Sequence, residues 1–305
     1  MIKIVIIGNS AAGFSACEAL LKNPLEKEIT VISQEDAPAY KRNLLVDYLF
    51  GNIKEDELFL CPADFYEKNK IKFLKNIKVA RVDTKKQAAV LKDNTKINYD
   101  YLIIAAGEKA KLPDIPGTSK DGVFSFYNLE DARKIKERLM VADTICVAAD
   151  ATLSQRILEA LMPKGKTIKV ISRDRPQNFT PTEKTEWIDG FDLTEIIGEG
   201  AELKAFKLSN GKAIGTSLVL FAGNYLPSTD FLKETELKTQ AGYIIVDQNL
   251  RTNFENIFSC GSVCRNENNL TQQKTWDDAV NEGVLAATNI INLLERGEAP
   301  CQRTS

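Results

Sequence analysis

The sequence predicts an α/β fold, and three features of the chain carry that prediction. Residues 3–7, Lys-Ile-Val-Ile-Ile, contain a continuous apolar run from residue 4 that ends at Gly8, a pattern typical of strands buried on both faces of a parallel sheet. A turn of small residues over 8–13 leads into a helical stretch and then a second apolar strand at 29–32, which completes one βαβ unit. The same layout returns over 144–171, and this internal repeat predicts two Rossmann-like dinucleotide-binding domains.

The other elements follow from hydrophobic periodicity and turn residues. In the first half, helices are expected at 14–22, 42–50 and 62–69, a hairpin over 79–91, and a buried strand at 101–105. In the second half, helices are expected at 129–139, 151–162 and 276–296, and strands at 144–148, 168–171, 191–197, 203–208, 218–221, 243–246 and 257–260. Two prolines and two glycines within 113–122 mark a domain crossing. We therefore expect a discontinuous first domain (1–112 plus 236–305) and an inserted second domain (113–235).

Composition excludes several classes of protein. Apolar residues make up 44% and charged residues 27% of the 305 residues, the balance of a soluble globular protein. Lys and Arg total 40 against 42 for Asp and Glu, so no basic excess points to nucleic acid. The apolar run over 4–8 is too short to span a bilayer and lacks the features of a signal peptide. The expected location is the cytoplasm, with no membrane association.

The chemistry available to the side chains is narrow because the chain contains no histidine. Ser-His-Asp triads, Cys-His dyads and His-ligated metals are therefore excluded. The six cysteines contain no Cys-x-x-Cys pair and no zinc-finger spacing, so no metal site is expected and the thiols are expected to be reduced. These absences favour a bound cofactor as the source of any chemistry.

The first βα turn is the best candidate for a nucleotide site. Gly8, Ser10 and Gly13 have the spacing Gly-x-Ser-x-x-Gly between a strand and a helix. The first glycine permits a tight bend, a small second residue lets backbone N–H groups approach a pyrophosphate at the helix N-terminus, and the third glycine lets helix and strand pack closely. Glu35, just past the second strand, stands where adenosine ribose hydroxyls need an acceptor. The alternative is a tight turn with a solvated Glu35.

Three further stretches follow the same order as motifs of a known family. Residues 32–45 contain an acidic residue followed by Pro-x-Tyr-x-Arg-x-x-Leu, residues 99–107 read Tyr-Asp-Tyr-Leu-Ile-Ile-Ala-Ala-Gly, and residues 250–263 lead through Gly261-Ser262 to Trp276 and the helix after it. With the first turn, they make nearly the whole chain resemble the pyridine-nucleotide-dependent FAD oxidoreductases. The resemblance is to the branch of rubredoxin reductases, ferredoxin reductases and the N-terminal part of assimilatory nitrite reductases.

The resemblance implies a site and a reaction. FAD would be bound by residues around the first turn and at three later positions: Gly8, Ser10, Ala11, Ala12, Gly13, Glu35, Arg42, Val79, Ala105, Ala106, Gly107, Gly261, Ser262 and Trp276. Lys41 and Arg42 would lie near the isoalloxazine as charge partners of the reduced flavin. NADH or NADPH would be the electron donor, and a rubredoxin- or ferredoxin-like protein, or a larger complex, the partner.

The sequence also departs from the family pattern. Ser262 replaces the aspartate that bonds the flavin ribityl chain. In the second nucleotide turn, Ala149, Ala151 and Ser154 take the glycine positions, Asp150 adds like charge, and Arg156 replaces a glutamate. Arg173 and Arg175 are open to two interpretations, as ligands of a nucleotide phosphate or as part of a solvated loop over 173–190. These departures predict weak use of NAD(P)H.

Several other features have two interpretations. Cys260 and Cys264 are either a redox dithiol or thiols at a buried strand end, and Cys61 is either activated at a helix start or an ordinary half-buried thiol. The ten basic residues over 68–96 either steer an acidic iron–sulfur carrier or form a solvated surface. The proteins that this sequence resembles continue into an interface domain after the helix that here ends near Arg296. We therefore do not assume that this chain forms the same dimer.

Three functions follow from these observations. The first is FAD-dependent electron transfer between NAD(P)H and a small redox acceptor. The second is a flavin subunit that takes electrons from a partner protein in a larger complex. The third is a redox-silent scaffold that binds a nucleotide. An absorbance spectrum separates the third from the others, and reduction by NADH or NADPH separates the first from the second.

Overall fold

A computed structural model describes residues 1–149, 151–172, 175, 182–271 and 273–297. The helices are α1 (Ala11–Lys22), α2 (Leu45–Leu49), α3 (Phe65–Lys68), α4 (Leu129–Val141), α5 (Ala151–Leu161) and α6 (Trp276–Glu295). The strands up to the middle of the chain are β1 (Ile2–Ile7), β2 (Lys27–Ile32), β3 (Lys72–Leu74), β4 (Val79–Asp83), β5 (Ala88–Leu91), β6 (Lys96–Asn98), β7 (Tyr101–Ile104), β8 (Glu108–Ala110), β9 (Val123–Ser125), β10 (Thr144–Ala148) and β11 (Thr167–Ile171). The later strands are β12 (Thr185–Ile188), β13 (Leu193–Glu199), β14 (Glu202–Leu208), β15 (Ala213–Gly215), β16 (Leu218–Phe221), β17 (Tyr225–Pro227), β18 (Thr239–Gln240), β19 (Tyr243–Val246), β20 (Ile257–Ser259) and β21 (Cys264–Asn266).

The chain divides into two compact units. The first unit comprises Met1–Lys41, Phe59–Glu108 and the chain from Pro227 onwards, and the second comprises Arg42–Leu58 and Lys109–Leu226. Strands β8 and β17 lie where the chain passes from one unit to the other.

The first unit is built on a five-stranded sheet in the order β20-β7-β1-β2-β3, and every pair in it is parallel. Its central strands, β1 and β7, are buried along the runs 4–7 and 101–104, which is why they read as uninterrupted apolar segments. The expected strands at 3–7, 29–32 and 101–105 are confirmed. The edge strand β3 was not expected, because its three residues lie within a lysine-rich stretch and carry no recognisable alternation.

Helix α1 connects β1 to β2, and helix α6 packs closely on it. Helix α1 begins at Ala11, three residues before the expected start, because Ser10 takes the extended conformation of an N-cap residue. Helix α6 begins with a capping box in which Thr275 and Asp278 bond each other's backbone N–H groups. Both helices present small residues at their contact.

The rest of the first unit consists of two small sheets. Strands β4, β5 and β6 form an antiparallel sheet, which confirms the hairpin expected over 79–91. Strands β18, β19 and β21 form the other. The helix expected over 62–69 is limited to α3, Phe65–Lys68.

The second unit repeats the parallel architecture, with the strand order β12-β11-β10-β16-β9. Helix α5 connects β10 to β11, so the βαβ repeat predicted over 144–171 is confirmed, and with it the fold class of two Rossmann-like units. Within the stretch 173–190, strand β12 was not expected, and its Trp187 and Ile188 are buried. Strands β13, β14 and β15 add an antiparallel sheet that carries much of this unit's core.

The helices also bear on membrane association. None of those in the described part of the chain combines the length and apolar character that a bilayer crossing requires.

Candidate functional site

The carboxyl ends of four parallel strands meet at one edge of the first sheet. In the pairing register, Ile7 at the end of β1 lies opposite Ile32 of β2 on one side and Ile104 of β7 on the other. Ile104 in turn lies opposite Ser259 of β20. Strand β1 is also where the strand order reverses, and ligands of open α/β sheets bind in the crevice at such a point. The sheet therefore brings together the turns that begin at residues 8, 33, 105 and 260.

The first turn has no room for side chains at its two glycines. Gly8 has a φ of +112°, and a Cβ there would lie 2.1 Å from the carbonyl oxygen of Ala105. A Cβ on Gly13 would lie 2.1 Å from the carbonyl oxygen of Gly8. The turn, the start of α1 and the 105–107 stretch are thus in backbone contact, as the spacing of the motif requires.

The N-terminus of α1 presents donors at this edge. The Ser10 side chain makes no capping hydrogen bond, and the first helical bond runs from the N–H of Phe14 to the carbonyl of Ser10. The N–H groups of Ala11, Ala12 and Gly13 precede that bond and have no acceptor inside the helix. Such an end favours an anionic ligand.

Glu35 follows β2 as the sequence predicted. Its Oε2 accepts a 2.6 Å hydrogen bond from the Tyr40 hydroxyl, and its backbone N–H donates to Oγ of Ser33 at 3.1 Å. The carboxylate is therefore held at the carboxyl end of β2, next to the first turn.

The Gly261–Ser262 turn is held on one side by a buried ion pair. The N–H of Gly261 donates to Oε2 of Glu282 at 2.8 Å, and Nζ of Lys274 donates to the carbonyl oxygen of Gly261 at 3.0 Å. Lys274 and Glu282 are 2.8 Å apart, and the Lys274 side chain is only 6% exposed. The pair thus bonds both polar groups of one glycine, whose φ of +78° most residues avoid.

A second cluster holds the other side of the turn. Nη1 of Arg265 donates to the carbonyl oxygens of Ser262 at 3.0 Å and Cys264 at 2.8 Å. The guanidinium stacks 4.0 Å from the ring centre of Tyr243 and lies 3.8 Å from the carboxylate of Glu108. Burial raises the pKa of Glu108, and the charge of Arg265 opposes that rise. Because Glu108 directly follows Gly107, this cluster links two of the predicted flavin-binding stretches.

The remaining predicted site residues belong to other elements of the chain. Lys41 is half-buried at the end of a first-unit segment, Val79 is buried at the start of β4, and Trp276 is half-buried at the start of α6. Arg42 is in the second unit, where its guanidinium lies 4.3 Å over the Tyr127 ring and Nη1 donates to the Tyr127 carbonyl at 3.3 Å.

The second unit has a comparable sheet edge, with Ala148 of β10 opposite both Ile171 and Phe221. Ser154, at the position of the third glycine, is fully buried in α5. Arg156 donates to the carbonyl oxygen of Asn43 at 3.2 Å and lies 3.7 Å from the Asp47 carboxylate. Asp150, Arg173 and the side chain of Ala151 lie outside the described residues, and Arg175 is exposed.

The described cysteines (Cys17, Cys61, Cys146, Cys260 and Cys264) are free thiols and all are buried. Burial raises the pKa of Cys17 to about 12 and raises those of the other four. The alternative of a Cys61 activated by a helix start is wrong, because α3 begins only at Phe65 and burial raises the pKa of Cys61. Cys301 lies outside the described residues.

The basic stretch over 68–96 is partly neutralised by local ion pairs. These are Lys68 with Asp64, Lys75 with Asp36, Arg81 with Asp83 and Lys85 with Glu236, at 2.7, 2.8, 3.5 and 4.0 Å. Their side chains are mostly exposed, as expected of a solvated surface.

Sequence reasoning missed the residues that support the turns. Tyr66, Arg265 and Lys274 lie outside the motifs. Some of the contacts join positions far apart in the chain, and Tyr66 and Asn9, for example, are 57 residues apart. The local signals are the position of Asn9 inside the first turn and that of Glu282 in the matched stretch that begins at Trp276.

Two parallel nucleotide-binding folds, the first with a glycine turn under a helix N-terminus, define the class of two-dinucleotide-fold oxidoreductases. The model of the pyridine nucleotide-disulphide oxidoreductase family matches residues 2–157 and 179–283. The chain belongs to this family of NAD(P)H-dependent flavoenzymes.

Individual relatives agree with the assignment. The chain is 30% identical over 267 residues to an NADH-rubredoxin oxidoreductase of Clostridium acetobutylicum, a match covering 86% of this chain and 68% of that protein. It is 24% identical over 307 residues to a rubredoxin-NAD(+) reductase of Pseudomonas putida, covering 94% and 79%. The crystal structure of a ferredoxin reductase from Rhodopseudomonas palustris superposes with a TM-score of 0.86 at 21% identity, covering 95% of this chain and 76% of that one, and supports the fold alone.

Proposed function

We propose that this chain binds FAD and transfers electrons between NAD(P)H or a partner protein and a small redox acceptor such as an iron–sulfur protein. In this proposal residues 1–112 and 236–305 form the FAD-binding domain, and residues 113–235 form the nucleotide-type domain. The observation that carries it is the common edge of β1, β2, β7 and β20, where every predicted flavin-binding turn begins.

The residues at that edge fit FAD. Gly8 and Gly13 let the turn fold tightly under the start of α1, because a Cβ at either position would clash with backbone. The start of α1 favours a pyrophosphate, and the carboxylate of Glu35, which accepts from Tyr40, would also accept from ribose hydroxyls. The Gly261–Ser262 turn is fixed from both sides by Lys274 and Arg265 and would offer the Ser262 hydroxyl to the ribityl chain.

When bound, the flavin would supply the redox chemistry. The protein would bind, orient and electrostatically tune it. Lys41 and Arg42 would act as charge partners of the reduced flavin, as the resemblance implies. The surrounding thiols would stay silent because burial raises their pKa values.

A partner protein as electron donor is favoured by one observation in the second unit. Arg156, which replaces a family glutamate, bonds Asn43 and lies near Asp47, so its charge is engaged within the unit. The positions expected to be glycine are Ala149, Ala151 and Ser154. A phosphate-binding turn without glycines binds nicotinamide nucleotides weakly.

The test of FAD binding is an absorbance spectrum of the purified protein, followed by titration of the apoprotein with FAD. We expect a flavin spectrum or uptake of added FAD, and loss of both in Gly13→Val, since a branched side chain would clash with the Gly8 carbonyl. Gly215→Ala is the control for glycine replacement, because Gly215 has no positive φ and a Cβ there would meet its nearest neighbour at an ordinary 3.9 Å. Wild-type protein that neither contains nor takes up FAD would leave the redox-silent scaffold as the function.

A further inference from the structure

The turn between β1 and α1 contains a side-chain amide that nothing described so far accounts for. Asn9 lies between Gly8 and Ser10, and its Oδ1 accepts a 2.9 Å hydrogen bond from the hydroxyl of Tyr66. The Tyr66 oxygen itself accepts from the N–H of Ala39 at 3.2 Å. A phenol has a single hydrogen to donate, and here that hydrogen goes to Asn9.

These two bonds fix the orientation of the amide. Because Oδ1 faces the Tyr66 donor, Nδ2 is directed to the opposite side of the amide plane. The Tyr66 ring is itself immobilised: it is 3% exposed, stacks on Phe73 at 4.0 Å and meets Phe65 edge-on at 5.3 Å. Burial raises the pKa of Tyr66, so its hydroxyl stays protonated at neutral pH. The Asn9 amide is thus set in place before any ligand arrives.

The Nδ2 group of Asn9 is left without an acceptor in the part of the chain that the structure describes. Nδ2 of Asn9 is buried and makes no hydrogen bond to any residue in the described part of the chain. A buried amide without an acceptor is costly and rare in folded proteins, which points to an acceptor that arrives with a ligand or a water molecule. It lies in the same turn as the N-terminus of α1, whose N–H groups also favour an anion.

We infer that the Asn9 side-chain amide is a phosphate-binding donor of the nucleotide site, and that Tyr66 is the residue that positions it. The inference rests on the proposed function, because it takes the ligand to carry a pyrophosphate. If backbone N–H groups were the only phosphate donors, any small residue would serve at position 9. The arrangement inferred here requires an amide side chain at that position. Asn9 would then contact the ligand, and Tyr66 would act only through Asn9.

The test is titration of the apoprotein with FAD, followed by flavin fluorescence, for four single variants. Asn9→Ala removes the donor and should weaken FAD binding about tenfold to a hundredfold, the effect of losing one hydrogen bond to a charged group. Asn9→Asp keeps an acceptor for Tyr66 but adds a negative charge, and should weaken binding more than Asn9→Ala does. Tyr66→Phe should weaken binding about threefold to tenfold, since the amide persists but is no longer held.

Tyr99→Phe is the matched control, because the Tyr99 hydroxyl is equally buried and has no hydrogen-bond partner in the described part of the chain. It should leave the FAD dissociation constant unchanged. The double variant Asn9→Ala/Tyr66→Phe should bind FAD no more weakly than Asn9→Ala alone, which separates positioning from a general structural effect. Urea unfolding of apo Asn9→Asp should match wild type and show that the fold is kept.

The outcomes separate this inference from the proposed function. If wild type binds FAD and both Asn9 variants bind it as tightly, the inference is wrong and Nδ2 bonds an internal water instead. Additive losses in the double variant would overturn the role of Tyr66. Wild-type protein that takes up no FAD would overturn the proposed function itself.

Discussion

A Cβ on Gly283 would lie 2.1 Å from the carbonyl oxygen of Ala12, so α6 rests directly on the first turn of α1. That turn carries the N–H groups proposed to face the pyrophosphate. The contact therefore couples the packing of the C-terminal helix to the geometry of the nucleotide site. A shift of α6 by a few tenths of an ångström would tilt the start of α1.

We expect Gly283→Ala to lower the free energy of unfolding by about 2 kcal/mol and to weaken FAD binding, because the added methyl group overpacks a backbone contact. Gly215→Ala is the control, since a Cβ there would meet its nearest neighbour at an ordinary 3.9 Å. Urea unfolding and FAD titration of both variants provide the measurement. Equal effects of the two substitutions would show that the α1–α6 contact is not tight.

Ser262→Asp should tighten FAD binding by about threefold to thirtyfold. Members of the family branch that this sequence resembles have a carboxylate at this position. A charge-assisted hydrogen bond contributes about 1.5–3 kcal/mol, against about 1 kcal/mol for a neutral one. The nearby Arg265 guanidinium, which already bonds the Ser262 carbonyl, would offset the added charge. Ser262→Asn is the uncharged control of the same shape. An unchanged dissociation constant for Ser262→Asp would show a site rebuilt around serine.

We expect the free energy of unfolding to depend on pH through Glu55, which lies in the second unit. Its carboxylate is bound by Arg133 at 2.5 and 3.3 Å and by the Tyr48 hydroxyl at 2.6 Å. The bond to Arg133 lowers the pKa of Glu55 below its usual value. A lowered carboxyl pKa contributes stability above the ordinary value, and that contribution is lost as pH falls through the pKa of the folded state.

Glu55→Gln should therefore destabilise the protein by about 1 kcal/mol or less at pH 7, since both partners are partly exposed. The difference from wild type should shrink as the pH falls below about 4.5. Urea unfolding across this range measures it, with the exposed Glu137 of α4 replaced by Gln as the control. A difference that grew on acidification would reverse the assigned sign.

The buried thiols should be unreactive in the native state. In a Cys301→Ser background, an aromatic disulfide reagent at pH 8 should label the native protein at least about a hundredfold more slowly than the urea-unfolded chain, because thiolate is scarce and access is blocked. The five remaining cysteines should all react after unfolding. Two rapidly reacting native thiols would instead support a dithiol at Cys260 and Cys264.

Local sequence signals were sufficient for the sheets' central strands and for the first turn. Strands β1, β7 and β10 are continuous apolar runs because helices and sheet neighbours bury both faces, and the glycine spacing of the turn is a direct steric requirement. The short edge strands β3 and β12 lack such runs, since one side of each is free of sheet neighbours. Their pairing is decided by the sheet rather than by local propensity.

The supporting contacts of the site could not be predicted for a different reason. The bond between Gly261 and Glu282 and the one between Asn9 and Tyr66 join residues 21 and 57 positions apart. No periodicity encodes such a pair, and the motif stretch that contains Gly261 and Glu282 gives their positions but not the bond between them. Only the positions that require glycine can be recognised from the sequence itself.

The last prediction concerns electron entry: NADH and NADPH should reduce the bound flavin slowly or not at all. Ala149 and Ala151 add atoms where a phosphate should touch backbone, and Ser154, which is fully buried, adds atoms where the third glycine lets helix and strand pack closely. Each substitution costs about 1–2 kcal/mol by the usual effect of overpacking, so together roughly 3–6 kcal/mol would weaken binding a hundredfold to more than ten-thousandfold. Arg156 could offset this loss by binding the phosphate, but its guanidinium would then have to give up its contacts with Asn43 and Asp47.

Stopped-flow mixing of the FAD-loaded protein with millimolar NADH measures the rate of flavin bleaching. A rate below about 0.02 per second, against about 10 per second for a typical enzyme, would favour a protein partner as the donor. The double variant Ala149→Gly/Ser154→Gly should bleach at least about tenfold faster than wild type if crowding of the turn is the cause, since recovering about 1.4 kcal/mol of binding is tenfold in affinity. Bleaching of the wild type at tens per second would refute the weakened nucleotide site and make this chain an NADH-dependent reductase. A double variant that bleaches no faster than wild type would show that Arg156, rather than the residues at the glycine positions, weakens the binding of NADH.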